Sequence, residues 1–293
     1  MRLRKILLQL CAVVLGCAVA WSVTAAPASA GAVSQPQMIP HTVALGSADL
    51  AAADPVQVSA HFVDQVIHDL PVQAELKFFR ELDPDALKKS LSTQQRQLAF
   101  WINVYNGYTQ YFLKSDPSLY LADRAKYFGK DQIDITGERV SLENIEHGVL
   151  RRGATIFTLG HLRMLFLRRT FIRRFAIDQV DYRVHFALNC GARSCPPVRL
   201  YTADAVSAQL DANTRSYLAR EAHYDGEDNA VQVPALLRWF SADFDGGCDA
   251  AKLNILRRYG VIPANVTPRI IYRDYDWTLQ IRNYAALTPS IAQ

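Results

Sequence analysis

Residues 93–114 constrain the fold more than any other stretch. They read as one long helix whose stripe, Leu98, Trp101, Ile102, Tyr105, Thr109 and Phe112, is apolar and aromatic. A helix carrying that much ring surface has to bury it, so it sits centrally in whatever forms around it. Asn103 and Asn106 are the odd residues on it. Buried amides must find partners, so this pair either braces a neighbouring loop or points into a site.

Shorter elements surround it. From Val56, the positions Phe62, Val63, Val66, Ile67 and Leu70 give a helical stripe, with His61 and His68 on its polar, solvated side. Asp83-Pro84 places a cap before a first-turn proline and opens a short helix through Leu91. Asp116-Pro117 starts another helix. Gln132 to Ile135, Gly137 and Val140 suggest a small hairpin. Ser141 caps a helix over residues 142–152 that ends in Arg151, Arg152 and Gly153, a well-formed C-terminus. An Arg-rich helix follows, then a strand at residues 182–189, a long helix over 202–222, a strand at 231–233, helices from Pro234 and Cys248, and a last strand at 269–272. Helices dominate, the strands are few and short, and no βαβ rhythm appears. The fold class is therefore α+β: a mostly helical single domain over residues 56–293 with a small, few-stranded sheet.

The N-terminus stands apart. Met1-Arg2-Leu3-Arg4-Lys5 is basic, residues 6–23 are apolar, and Ala28-Ser29-Ala30 offers a small-x-small cleavage site, so residues 1–30 read as a signal peptide. Val14-Leu15-Gly16-Cys17 weakly resembles a lipoprotein box, but the apolar run continues past Cys17 and favours simple cleavage. The expected protein is secreted into the periplasm, without a stable membrane anchor once the signal is cut. Residues 31–55, rich in Ala, Ser, Pro and Gln, form a flexible lead-in.

Removing the signal takes three of the 32 basic residues and none of the 28 acidic ones, so the remainder is close to neutral. No nucleic-acid footprint is expected from that balance. Arg163, Arg168, Arg169, Arg173 and Arg174 cluster locally as the solvated face of an amphipathic helix. Of the five cysteines, Cys190, Cys195 and Cys248 lie beyond the signal. An odd number leaves at least one thiol unpaired in a compartment where disulfides persist.

Chemistry concentrates in residues 182–197. Val184, Phe186 and Leu188 alternate with His185, Ala187 and Asn189, the pattern of a buried strand. Gly191 then frees the backbone, and Pro196-Pro197 stops further pairing.

Taken with other stretches, this segment resembles the Domain of Unknown Function 547 family. The matching pieces are residues 99–106, 141–151, 185–197 and 240–244, with Tyr275-Asp276-Trp277 near the end; together they span about residues 91–279. The resemblance implies a family but no activity. Relatives fused to other modules and to glutaredoxin-like domains imply an association with partner domains. The first cysteine of the segment is the more widely shared in that family, which implies that any common chemistry sits on Cys190 rather than Cys195.

Three chemistries fit the residues. In a thiol hydrolase or acyl transferase, Cys190 attacks an acyl or amide carbon and His147 moves the proton. His185 would be a poor direct partner for Cys190: five residues of strand span roughly 16 Å at about 3.3 Å each. Glu146 adjoins His147 without facing it, so Asn103, Asn106 or Asn189 would orient the ring, and residues 191–194 would offer amides to an oxyanion. Arg151 and Ser194 complete the set of candidates. The second chemistry is a structural or redox disulfide between Cys190 and Cys195 in a non-catalytic binding or scaffolding protein. The third, a zinc site on His147, His185, Cys190 and Glu146, lacks familiar ligand spacing, and Asp243-Phe244-Asp245-Gly246 lacks the later ligands of a calcium loop. No metal and no cofactor are expected. The expected partner is a small-molecule or peptide substrate, with a protein partner as the alternative.

Overall fold

In the computed structural model, residues 50–155, 158–162 and 169–285 are described. The signal peptide, most of the lead-in, and Arg163 and Arg168 lie outside them. After a short 3-10 turn at Leu50–Ala52, Asp54 caps α1 (Pro55–Ile67) by accepting from the Val56 amide. α2 (Gln73–Glu81), α3 (Pro84–Ser90), the long α4 (Gln94–Ser115), α5 (Ser118–Ala122) and α6 (Arg124–Gly129) follow. Asp83 and Thr93 cap α3 and α4, as their side-chain oxygens suggest.

α4 is central. Trp101, Tyr105 and Phe100 on it are fully buried, and Trp101 meets Phe171 and Phe175 at centroid distances of 5.7 Å. α2 leaves no mark in the sequence reading, and its presence corrects His61. That ring is buried, its Nδ1 2.8 Å from Glu75 of α2, rather than facing solvent.

β1 (Ile133–Ile135) and β2 (Glu138–Val140) form the hairpin. Thr136 and Gly137 turn it with φ of +55° and +73°, the two-residue turn whose twist suits antiparallel strands. Ser141 then opens a helix that widens into a π helix over Asn144–Leu150, with the Arg151 amide donating to the Glu146 carbonyl. α7 (Thr170–Phe175) presses on it so closely that a Cβ at Gly148 would sit 2.7 Å from Ile172.

Residues 182–186 depart from the alternation read as a strand. Tyr182–Phe186 wind into a 3-10 helix, capped by Asp181 accepting from the Arg183 amide. The period-two pattern misleads because every residue from Tyr182 to Asn189 except Arg183 is buried, so no face is marked by solvent. Among the described residues no strand pairs with them, and the backbone bonds locally instead.

α8 (Val206–Glu221) leads to a sheet of three strands: β3 (His223–Asp225) antiparallel to β4 (Ala230–Val233), and β4 parallel to β5 (Arg269–Tyr272). α9 (Leu236–Trp239), a 3-10 turn at Ser241–Asp243 and α10 (Asp249–Arg258) cross between β4 and β5. The architecture is α+β with helices dominant.

Two apolar clusters meet at the 3-10 helix. Val184, Ala187 and Leu188 join the cluster around α4, while Tyr182 and Phe186 join the one built on β4, α9 and α10. Three amides of α4 hold the chain that follows. Asn103 donates to the Tyr201 carbonyl at 2.8 Å and accepts the Tyr201 amide at 3.0 Å. Asn106 does the same for the Ala187 carbonyl and the Asn189 amide. Gln110 donates to the Asn189 side chain and accepts the Arg282 amide.

Asn106→Ala would strand a buried carbonyl and a buried N–H together, a loss of about 3 kcal/mol. Urea denaturation should show a lower midpoint at an unchanged slope.

Candidate functional site

A cavity of ≈ 300 Å³ opens at the junction of the two clusters. Four sequence candidates line it: Glu146 and His147 from the π helix, His185 from the 3-10 helix, and Cys190 from the loop after it. Tyr105 of α4 and Leu188 form its floor, and Phe240, Trp239, Tyr275 and Trp277 close it from the C-terminal half.

Asn103, Asn106, Asn189 and Ser194 do not line it. The first three belong to the amide seam, with Asn189 accepting the Gly191 amide and donating to the Pro196 carbonyl. They brace the loop and do not reach His147. Ser194 is used by the C-terminal segment: its hydroxyl accepts the Asp276 amide, and its own amide donates to the Asp276 carbonyl. The Arg193 amide goes to the Thr278 carbonyl. Amides 191, 193 and 194 are therefore bonded within the chain itself.

This same pairing carries Tyr275 and Trp277 over the cavity. Gly191 makes the turn possible twice over: its φ is +85°, and a Cβ there would run into the Leu113 side chain.

The two thiols sit together under Tyr275. Cys190 Sγ and Cys195 Sγ are 2.7 Å apart, within reach of a disulfide bond of about 2.05 Å. Both are free thiols here. The Tyr275 hydroxyl lies 3.4 Å from the first and 3.1 Å from the second, and the Cys190 amide donates to Cys195 Sγ at 3.1 Å. The hydrogen bond to Cys195, with burial, pushes the Cys190 thiol well up. Burial also raises Cys195, but hydrogen bonds from Cys190, Tyr275 and the backbone outweigh it and bring that thiol below its ordinary value. Cys190 lines the cavity, while Cys195 is buried.

On the opposite wall, Arg151 Nε donates to Asp243 Oδ2 at 2.5 Å, and His185 Nε2 lies 3.0 Å from the same oxygen. Burial raises the Asp243 carboxyl, yet His185 and Arg151 pull it below the usual carboxylate range. Burial also lowers His185, more than Asp243 restores. An ionised carboxylate only accepts, so neutral His185 carries its proton on Nε2. The His185 ring stacks on Phe240 at 4.1 Å, and the Arg151 guanidinium lies 4.6 Å from the same ring.

Arg151 also donates to His147 Nδ1 at 3.1 Å, which leaves the His147 proton on Nε2. Adjacent residues on a helix are not expected to face each other, but here Glu146 Oε1 stands 3.8 Å from His147 Nδ1. Glu146 also accepts from the Tyr105 hydroxyl at 2.8 Å. Burial is the largest influence on its carboxyl and raises it, against Tyr105, His185 and Arg151. Glu146, its carboxyl raised by burial, thus adjoins an imidazole that accepts from Arg151.

Sequence reading misses Asp243, Tyr275, Trp239 and Trp277 as parts of the site. The signal for Asp243, Tyr275 and Trp277 lay in the family-like stretches at 240–244 and 275–277. Among the described residues, no three His, Cys, Asp or Glu side chains group as a set able to hold a metal ion. No helix among them is long and apolar enough to cross a membrane.

Residues 89–218 match the family model described as "Protein of unknown function, DUF547". That span carries α4, the π helix and both thiols, and stops short of Asp243 and the aromatic closure. No curated protein and no solved structure matches the chain.

A raised carboxyl favours folding below its ordinary value near 4.5 and loses that contribution as pH rises through its folded value. Glu146→Gln keeps an acceptor for Tyr105 and removes the burial of charge. Its stability relative to the parent, read from urea midpoints, should therefore improve more at pH 8 than at pH 5.

Proposed function

The chain belongs to the DUF547 family of proteins of unknown function, so its chemistry has to be read from the cavity, and we propose that it exchanges thiols and disulfides on a small substrate. One observation carries this reading: two sulfurs lie 2.7 Å apart, one on the cavity wall and one buried beneath a tyrosine hydroxyl. The setting is an exported compartment, in keeping with the signal-like N-terminus and with the persistence of disulfides there.

In the oxidised protein, Cys190 and Cys195 are joined. A substrate thiol enters the cavity as thiolate, its proton left with solvent, and attacks Cys190 Sγ. A bond forms between the substrate sulfur and Cys190. The Cys190–Cys195 bond breaks, and its electron pair leaves on Cys195. A leaving thiol of lower pKa departs faster, and Cys195 is the lowered member of the pair. The Tyr275 hydroxyl and the Cys190 amide are already aimed at that sulfur. A second substrate thiol then displaces the first, releasing substrate disulfide and leaving Cys190 to take up a proton. Two thiols have been oxidised and one protein disulfide reduced. Run backwards on a substrate disulfide, the same steps restore the oxidised pair.

A second reading is acyl transfer or hydrolysis at Cys190. It is supported by the presence of Cys190, His147 and Glu146 around one cavity. In that scheme Cys190 attacks an acyl carbon and Cys195 is not consumed.

Equilibration of the full chain with glutathione redox buffers, followed by peptide mass spectrometry, separates the two. Exchange predicts a linked 190–195 peptide under oxidised glutathione, and a lasting glutathione adduct on Cys190 in Cys195→Ser. A Cys190 that stays free and alkylatable under oxidised glutathione, with thioester hydrolysis retained in Cys195→Ser, would replace exchange by acyl transfer.

A further inference from the structure

We infer that this cavity takes a compact, uncharged apolar group carried next to sulfur, so that the thiols and disulfides exchanged at Cys190 bear an aryl or alkyl body without ionised groups. The sulfur part of the inference rests on the reading above; the apolar part rests on the cavity alone.

Apolar side chains from separate elements meet in the lining. Phe128 comes from α6, Leu188 from the loop after the 3-10 helix, and Leu236, Trp239 and Phe240 from α9 and its end. Trp239 and Trp277 stack at 5.8 Å between centroids, inclined by 24°, and the Arg124 guanidinium lies 5.0 Å from the centre of Trp277. Phe240 stacks on His185 at 4.1 Å. These rings are engaged with each other and with protein groups, so what they offer a ligand is apolar surface. Covering it favours a ligand in proportion to the apolar area taken from water.

The polar groups beside that surface are engaged within the protein. Glu146 accepts from Tyr105, His185 and Arg151 both meet Asp243, and His147 accepts from Arg151. Glu143 lines the cavity from an exposed position, where water and salt screen it. Arg124 is also exposed, and does not line the cavity. A second ionised group on the ligand would lose its water here and find no opposite charge kept for it. The one charge the exchange brings in is that of the attacking sulfur. It is passed on as the new bond to Cys190 forms, and the electron pair leaves on Cys195 beside the Tyr275 hydroxyl and the Cys190 amide.

Tyr275 sets where the apolar body sits. Its hydroxyl lies 3.4 Å from Cys190 Sγ, and its ring centre lies 4.8 Å from that of Trp277 and 5.1 Å from that of Trp239. One phenol therefore separates the reactive sulfur from the aromatic corner. A ligand that spans the two carries its apolar group within a few bonds of its own sulfur. A cavity of ≈ 300 Å³, at the lower end for small-molecule sites, suits a body of about one ring.

The test titrates benzyl alcohol, benzylammonium and benzoate calorimetrically into the full chain under reducing conditions. The three share one ring and differ in charge. Benzyl alcohol should bind about tenfold or more tightly than either ion. Trp239→Ala, at a half-buried position, should weaken benzyl alcohol about fivefold or more. Equal or tighter binding of either ion, no binding of the alcohol, or an alcohol affinity unchanged in a folded Trp239→Ala would overturn the inference. The charge series on the parent chain decides by itself if that variant does not fold. A second arm reduces the linked 190–195 pair with phenylmethanethiol or 2-aminoethanethiol, each rate divided by that of the same thiol on oxidised glutathione to cancel intrinsic reactivity. The aryl thiol should be ahead by about tenfold, and equal ratios would overturn the substrate class while leaving exchange itself intact. Because the first probes carry no sulfur, a failure of exchange would leave their binding order as it stands.

Discussion

Everything around the cavity depends on three amide side chains along the buried length of α4. Asn103, Asn106 and Gln110 follow one another at helical spacing and each grips backbone or amide groups far along the chain, at separations of 98, 81 and 79 residues. A loop crossing an apolar core cannot leave its N–H and C=O groups dry, and no strand lies alongside to satisfy them. The amides do so instead. They thereby fix Ala187, Asn189 and Tyr201, and with them the loop that carries both thiols.

The second dependence runs from that loop outward. The backbone at 191–194 pairs with residues 276–280, so the C-terminal segment is laid across the mouth of the cavity. Tyr275 then reaches both sulfurs and Trp277 meets Trp239. The thiol pair and the aromatic corner are thus two products of one short stretch of pairing. On the far wall, Arg151, Asp243 and His185 settle their charges among themselves. Glu146 and His147 line the cavity.

Much of the fold is legible in local sequence because its signals are local. The caps at Asp83 and Thr93, the turn at Thr136-Gly137 and the length of α4 each follow from a few adjacent side chains acting on their own backbone. The 3-10 helix at Tyr182–Phe186 is not legible in this way. Its alternating residues are nearly all buried, so the contrast between wet and dry faces that marks a strand is missing. The same applies to the π helix. Within it Gly148 packs against Ile172, a contact the sequence around Glu146 does not contain.

The sequence by itself determined that the chain is mostly helical, that a long aromatic helix lies at its centre, and that thiols, imidazoles and a carboxyl are available for chemistry. It marked Cys190, His147, His185 and Glu146, which the fold brings to one cavity. Only the tertiary structure decided which neighbours those groups answer to. Asp243 lies 58 residues from His185 and 92 from Arg151, and Tyr275 lies 80 from Cys195. Burial and hydrogen bonding across such separations set protonation, and no local pattern encodes them. Asn103, Asn106 and Asn189 show the converse: polar residues in an apolar stretch, legible as exceptions, whose use as braces rather than reagents is settled by where the backbone needed partners.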